Sequence, residues 1–227
     1  MSVSLSTVLV CAAPADDPEG YYAGLIGQAT HVVAVDDGAS LVRCVGRRPD
    51  SIVGDLDSLE PETAAWAEGL GVEVMRYPRR KDLTDLDLAL EMMQTAGGTG
   101  VCVTAAWSGR LDHTAAALGS VSRFPDLEIT LGDPGMAGWV LDMTYRSRLT
   151  LAPLGATVSL IATIGPAVVS CAGMEYPLDG HSLSALSSLG ISNTITGERA
   201  EVQVHEGTVC VIAHKVGTGL LARGHCW

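Results

Sequence analysis

Over residues 1–143, short β-branched runs follow one another with helical stretches between them, and this rhythm limits the chain to a sheet crossed by helices. Candidate strands fall at residues 7–12, 31–35, 51–53, 72–76, 101–105 and 128–131. Helical segments fill the gaps at residues 20–29, 39–44, 61–69, 83–94 and 114–123, with Pro61 suited to a first turn. Several connections are long enough only for right-handed β-α-β crossovers, so a largely parallel, Rossmann-like α/β sheet is expected. Ligands of such sheets collect where strands end at their carboxyl edge.

After about residue 143 the texture changes to short Ser, Thr, Val and Gly-rich segments. Residues 157–163 and 168–172 read as strands, and residues 201–205 and 208–213 as a hairpin turning at Glu206-Gly207. The expected organisation is an α/β domain over residues 1–143 and a smaller antiparallel β-sandwich over residues 144–227. The uncharged stretch from Leu149 to Met174 is long enough to span a bilayer. Its Pro153 and Pro166, and the alternation in Thr157-Val158-Ser159-Leu160, suit strands and turns instead.

Charge excludes one class of partner. The net charge is -12, and with 5 acids and 5 bases after residue 143, all of the surplus lies before it, where 21 acids face 9 bases. Nucleic-acid binding through counterion release is not expected of such a chain. The six cysteines are scattered with no C-x-x-C pair, and no basic-then-apolar leader follows Met1, which points to free thiols in a reducing cytoplasm.

Four clusters of chemistry-bearing residues follow candidate strands. Asp36-Asp37-Gly38-Ala39 fits a helix-capping turn as well as a ligand loop. In the segment from Pro49 to Ser58, Asp55 and Asp57 at i and i+2 can converge on one hard cation, with Gly54 letting the backbone bend, although a plain turn also uses Asp and Ser. Lys81-Asp82-Leu83-Thr84-Asp85 opens a helix, where Asp82 and Asp85 fit a capping arrangement and the helix N-terminus also favours phosphate. In Ser108-Gly109-Arg110-Leu111-Asp112-His113, Arg110 suits a phosphate, and Asp112 suits either a helix cap or a substrate amine. Together these carboxylates, with Lys81 and Arg110, are equipment for Mg²⁺ and polyphosphate. Neither a P-loop nor a dinucleotide-binding glycine fingerprint is present.

In order and spacing the four clusters resemble the thiamine pyrophosphokinase family, whose pattern runs D-G-G-A, P-D-x-x-x-G-D-x-D-S, K-D-x-T-D and G-G-R-x-D-H. The segment from Gly173 to Leu178 and the pair Ser192-Asn193 resemble that family's β-domain segments, so the likeness spans nearly the whole chain. Asp37 stands where the family has a glycine, Ser108 replaces another, and Tyr176 occupies a position that is tryptophan in some members.

The resemblance implies an enzyme, thiamine diphosphokinase, moving a pyrophosphoryl group from ATP to the thiamine hydroxyl with release of AMP. It implies Mg²⁺ held by Asp55, Asp57 and Asp85, with Asp82 orienting nearby waters. Lys81 and Arg110 would neutralise phosphates, Asp36 and Gly38 would shape the nucleotide loop, and Asp112, Ser192 and Asn193 would contact thiamine. A homodimer with active sites at its interface is expected. A pyrophosphokinase for another alcohol, such as a pterin, and a non-catalytic relative are the alternatives.

Overall fold

The computed structural model describes residues 7–17, 20–55, 59–77, 82–152 and 154–214. These pack as two compact units, one of residues 7–120 with Gly132–Pro134 and the other of Val121–Leu131 with residues 135–214. The change of texture near residue 143 falls inside the second unit.

The first unit alternates strand and helix in chain order: β1 (Thr7–Val10), α1 (Tyr21–Gln28), β2 (His31–Val35), α2 (Gly38–Cys44), β3 (Ser51–Gly54), α3 (Pro61–Gly69), β4 (Glu73–Arg76), α4 (Asp85–Thr95), β5 (Val101–Thr104) and α5 (Leu111–Ser122), whose last turn enters the second unit. Strands β5, β1, β2, β3 and β4 are neighbours in that order, and every pairing among them is parallel. Val8, Leu9 and Val10 of β1 and Val101, Cys102 and Val103 of β5 are wholly buried, as continuous apolar strands covered on both faces must be.

Chain order runs away from β1 through β2, β3 and β4, then returns to place β5 on the other side of β1. The sheet therefore has a topological switch between β1 and β5, where the loops leaving the two strands part and open a crevice.

One helix start is made differently from the sequence expectation. Helix α4 begins at Asp85 with Thr84 as its N-cap: Asp87 N donates to Thr84 Oγ1 at 3.2 Å and Thr84 N donates to Asp87 Oδ2 at 3.0 Å. The capping box is thus Thr84 with Asp87, in place of Asp82 with Asp85. At α1, Asp17 accepts from Tyr21 N at 2.7 Å and from Tyr22 N at 2.9 Å, so this aspartate serves the fold.

The second unit continues with β6 (Thr130–Asp133, which crosses into the first unit), β7 (Met136–Asp142), β8 (Arg148–Leu151), β9 (Thr157–Ala162), β10 (Ala167–Ala172), β11 (Leu178–Leu183), β12 (Asn193–Thr194), β13 (Ala200–Glu206) and β14 (Thr208–His214). Two antiparallel arrangements form, β12-β9-β14-β7 and a separate sheet β11-β10-β13-β8. The expected hairpin at Glu206-Gly207 does not exist. Strand β13 pairs with β10 and β8, β14 pairs with β7 and β9, and the chain changes sheets at Gly207. Gly207 has φ 75, and a Cβ there would lie 2.6 Å from the Pro166 carbonyl oxygen, so the corner is a glycine position. The uncharged stretch from Leu149 to Met174 contributes β8, β9 and β10, and no helix among the described residues is long and apolar enough to cross a membrane.

Candidate active site

The switch-point crevice is a cleft of about 740 Å³. Its walls come from the loop after β1 (Ala12, Ala13, Pro14), the β2–α2 turn (Asp36, Asp37), the start of α4 (Thr84, Asp85) and the β5–α5 loop with the first turns of α5 (Ser108, Gly109, Arg110, His113). Three of the four motif clusters therefore line one cavity. Gly38 makes the convergence sterically possible, because a Cβ there would fall on the Val10 carbonyl. With no side chain, α2 starts hard against the end of β1.

Some carboxylates are spent on the fold and others face the cleft, while Asp37 does both. Asp50 Oδ2 accepts from Val32 N at 2.8 Å, Asp37 Oδ1 accepts from the Ser40 hydroxyl at 2.5 Å, and Asp87 is buried in the capping box. Asp36 sits at φ 50, a left-handed conformation that aspartate tolerates better than most residues. Gly54, at φ +152, carries no Cβ, and the point where one would lie is 3.2 Å from both Asp36 Cα and Asp85 Oδ1. Its bare backbone thus lets the Asp85 carboxylate and the Asp36 main chain close on the end of β3, immediately before Asp55. Asp82 is exposed ahead of α4. Asp57 and Lys81 lie outside the described residues. Among the described residues no three His, Cys, Asp or Glu side chains are grouped to hold a metal ion.

Arg110 and Asp112 engage each other. The guanidinium donates from Nε to Asp112 Oδ1 at 3.2 Å and from Nη2 to Oδ2 at 2.6 Å, a bidentate pair on an open surface. The Arg110 hydrogen bond holds the Asp112 carboxyl down at about 2, so it stays ionised and is a weak base. Only Arg110 of the two lines the cleft.

In the second unit, Asn193 is buried and its side chain grips one backbone segment: Nδ2 donates to the Tyr176 carbonyl at 2.7 Å and Oδ1 accepts from Tyr176 N at 3.0 Å. Tyr176 itself is left 64% exposed. Ser192 adopts φ 60, with its amide donating to Ser159 Oγ at 3.1 Å.

Several cleft residues carry no signal in the sequence. Ala12, Ala13, Pro14 and Ala106 have no reactive group, and only the strand order brings them to the crevice. Asp133, outside the cleft lining, is a further residue that the sequence reading passed over. It is 4% exposed, and burial pushes its carboxyl up to about 6 even though Tyr22, Thr104 and the Ala105 amide donate to it.

A parallel α/β unit with a carboxylate-walled switch-point cleft, followed by antiparallel β layers, defines a two-part class of α/β protein with a cleft at the end of its parallel strands. Residues 22–131 match the thiamin pyrophosphokinase catalytic domain and residues 146–209 match the thiamin pyrophosphokinase vitamin B1 binding domain. The chain belongs to the thiamine pyrophosphokinase family. It is 27% identical over 187 residues to thiamine pyrophosphokinase 1 of Arabidopsis thaliana, spanning 78% of this chain and 70% of that one. To thiamine pyrophosphokinase 1 of Oryza sativa it is 26% identical over 68% of this chain and 62% of the relative. The fold is that of thiamine pyrophosphokinase from Bacillus subtilis, with a TM-score of 0.79 at 20% identity over 92% of this chain and 99% of the other. The yeast enzyme superposes with a TM-score of 0.77 at 12% identity, covering 96% and 89% of the two chains.

Proposed function

We propose that this protein transfers a pyrophosphoryl group from ATP to the hydroxyl of thiamine, forming thiamine diphosphate and AMP. The observation that carries the reading is the closure of Asp36 and Asp85 on Gly54 in the same cleft as Arg110. Acidic and basic groups meet there at a strand edge, as phosphoryl transfer requires. The matches to a catalytic and a vitamin B1 binding domain supply the substrates.

The cleft takes the nucleotide. Its alanine-rich wall suits a flat base, and Arg110 lies where a phosphate can compete for its guanidinium. Charge grows on the equatorial oxygens and on the oxygen departing with AMP as the alcohol attacks the β-phosphorus, and Arg110 and Lys81 are the cations to stabilise it. A cleft carboxylate accepts the alcohol proton. Asp112, held ionised by Arg110, is the least suited to that task.

Hard oxygen donors beside a bare glycine fit Mg²⁺, and Asp55, Asp57 and Asp85 would hold it. When bound, the ion supplies charge neutralisation on the transferred phosphates. Asp82, exposed one turn ahead, would orient waters around it. In the second unit, Asn193 presents Tyr176 as an aromatic face for a cationic ring, and Ser192 accompanies it. We assign the working form as a homodimer, supported by the exposed apolar residues Leu186, Leu189 and Ile191 at 70%, 47% and 44% exposure. Purified protein given Mg²⁺, ATP and thiamine should release AMP and thiamine diphosphate; ATP consumption that ignores thiamine overturns the assignment.

A further inference from the structure

The loops that wall the cleft on either side of the switch point are joined behind it by one buried acid. Strand β5 ends at Thr104, and the next residue, Ala105, is fully buried at φ 55, a conformation that an L residue other than glycine keeps only when its surroundings hold it. The hold is visible on both sides of the residue. Ala105 N donates to Asp133 Oδ1 at 2.9 Å, and the Ala105 carbonyl accepts from Ala13 N at 2.7 Å.

The same oxygen, Asp133 Oδ1, accepts from the Tyr22 hydroxyl at 3.0 Å, and that hydroxyl accepts from Ala15 N at 2.8 Å. One carboxylate oxygen and one phenol thus add a second link, beside the direct Ala13–Ala105 bond, between the loop after β5 and the loop after β1. Tyr22 is 2% exposed, and neither it nor Asp133 lines the cleft, whereas Ala13, Pro14, Ala106 and Arg110 do.

We infer that Asp133 and Tyr22 form a positioning pair that sets the width of the crevice between these two loops and thereby its fit to the nucleotide. The inference rests on the reading of the cleft as the ATP site. Three acceptor contacts converge on one oxygen, so the shape and acceptor capacity of Asp133 matter more than its charge. Tyr22→Phe deletes a single oxygen and releases Ala15 from the relay, while leaving the ring and the Ala13–Ala105 bond in place. Asp133→Ala removes the relay from both loops, leaving only their direct main-chain bond, and Asp133→Asn keeps an acceptor oxygen in the same position.

The test measures binding of a non-hydrolysable ATP analogue by calorimetry, beside steady-state KM for ATP and for thiamine and the melting temperature. Tyr22→Phe and Asp133→Ala should weaken analogue binding and raise KM for ATP by roughly tenfold or more, as misplaced positioning groups do. KM for thiamine should stay within about twofold, and Asp133→Asn should restore analogue affinity to within about threefold of wild type. A Tyr22→Phe variant that melts earlier yet binds the analogue as wild type does would overturn the inference, leaving the pair as core hydrogen bonds alone. If Asp133→Ala fails to fold, Tyr22→Phe decides the matter by itself. Binding is read apart from turnover, so a wild type that binds the analogue and releases no AMP overturns the functional reading while this comparison still stands.

Discussion

Asn193 holds Tyr176 by both of its main-chain groups, donating to the carbonyl at 2.7 Å and accepting from the amide at 3.0 Å, so a buried carboxamide stands in for a missing strand partner. A side chain of this kind serves the fold and the site together. Asn193→Ala leaves the Tyr176 N–H without this acceptor and its C=O with only the weak Cys171 thiol contact at 3.6 Å, and should cost about 2 kcal/mol of stability, read by chemical denaturation. Asn193→Asp keeps the acceptor but loses the donor. On the proposed function it should raise KM for thiamine with a smaller effect on KM for ATP.

Gly54→Ala should harm activity more than the fold. The new methyl would lie 3.2 Å from both Asp36 Cα and Asp85 Oδ1, on a backbone at φ +152 that disfavours any side chain. A destabilisation of about 1–3 kcal/mol is expected, together with a loss of kcat/KM of roughly 100-fold as the carboxylate is pushed aside. Activity that survived at wild-type level would remove the Gly54 junction from the site. Gly38→Ala, by contrast, sets a methyl on the Val10 carbonyl and should prevent stable folding, seen as loss of soluble protein.

The metal assignment predicts a pattern across three variants. Asp55→Asn, Asp57→Asn and Asp85→Asn should each lower turnover by about 100-fold or more while melting temperatures move little, since the α4 cap belongs to Thr84 and Asp87. Chelation with EDTA should abolish AMP release and added Mg²⁺ should restore it. Retention of activity in Asp57→Asn would remove that residue from the set.

Asp133 makes a stability prediction with a definite sign. Its carboxyl is pushed up to about 6 in the folded state by burial, above the ordinary 3.8 of an unfolded aspartate. The folded state therefore binds the proton more tightly, and this contribution is complete below about pH 4 and lost as pH rises through about 6. The span corresponds to about 3 kcal/mol as an upper bound. Denaturation midpoints taken from pH 4 to pH 7 should show this loss in wild type and a flatter profile in Asp133→Asn.

Much of the first unit was legible from local pattern. The strand at His31–Val35 and the helix at Pro61–Gly69 lie where β-branched runs and a first-turn proline put them. Other ends moved by a few residues for local reasons. Helix α4 starts at Asp85 because Thr84 and Asp87 satisfy its end groups. The strand expected at residues 128–131 begins at Thr130, after Glu128 takes a left-handed turn at φ 49. The hairpin at Glu206-Gly207 failed because a tight turn and a sheet-to-sheet corner share the same local signal. Which neighbour each strand pairs with is decided by β10, β8, β7 and β9, far away in the chain.

The site divides along the same line. By itself the sequence determined that carboxylates, Arg110 and the required glycines follow strands in an α/β alternation, because hydrophobic period and turn chemistry are local properties. Only the tertiary structure decided which aspartates are used up by the fold, as Asp50 and Asp87 are, and which face a cleft, as Asp36 and Asp85 do. It alone set β5 beside β1 and joined Tyr22 to Asp133, 111 positions apart. Such pairings follow from burying apolar strands and satisfying every buried polar group at once, a condition on the whole unit that no short window of residues contains.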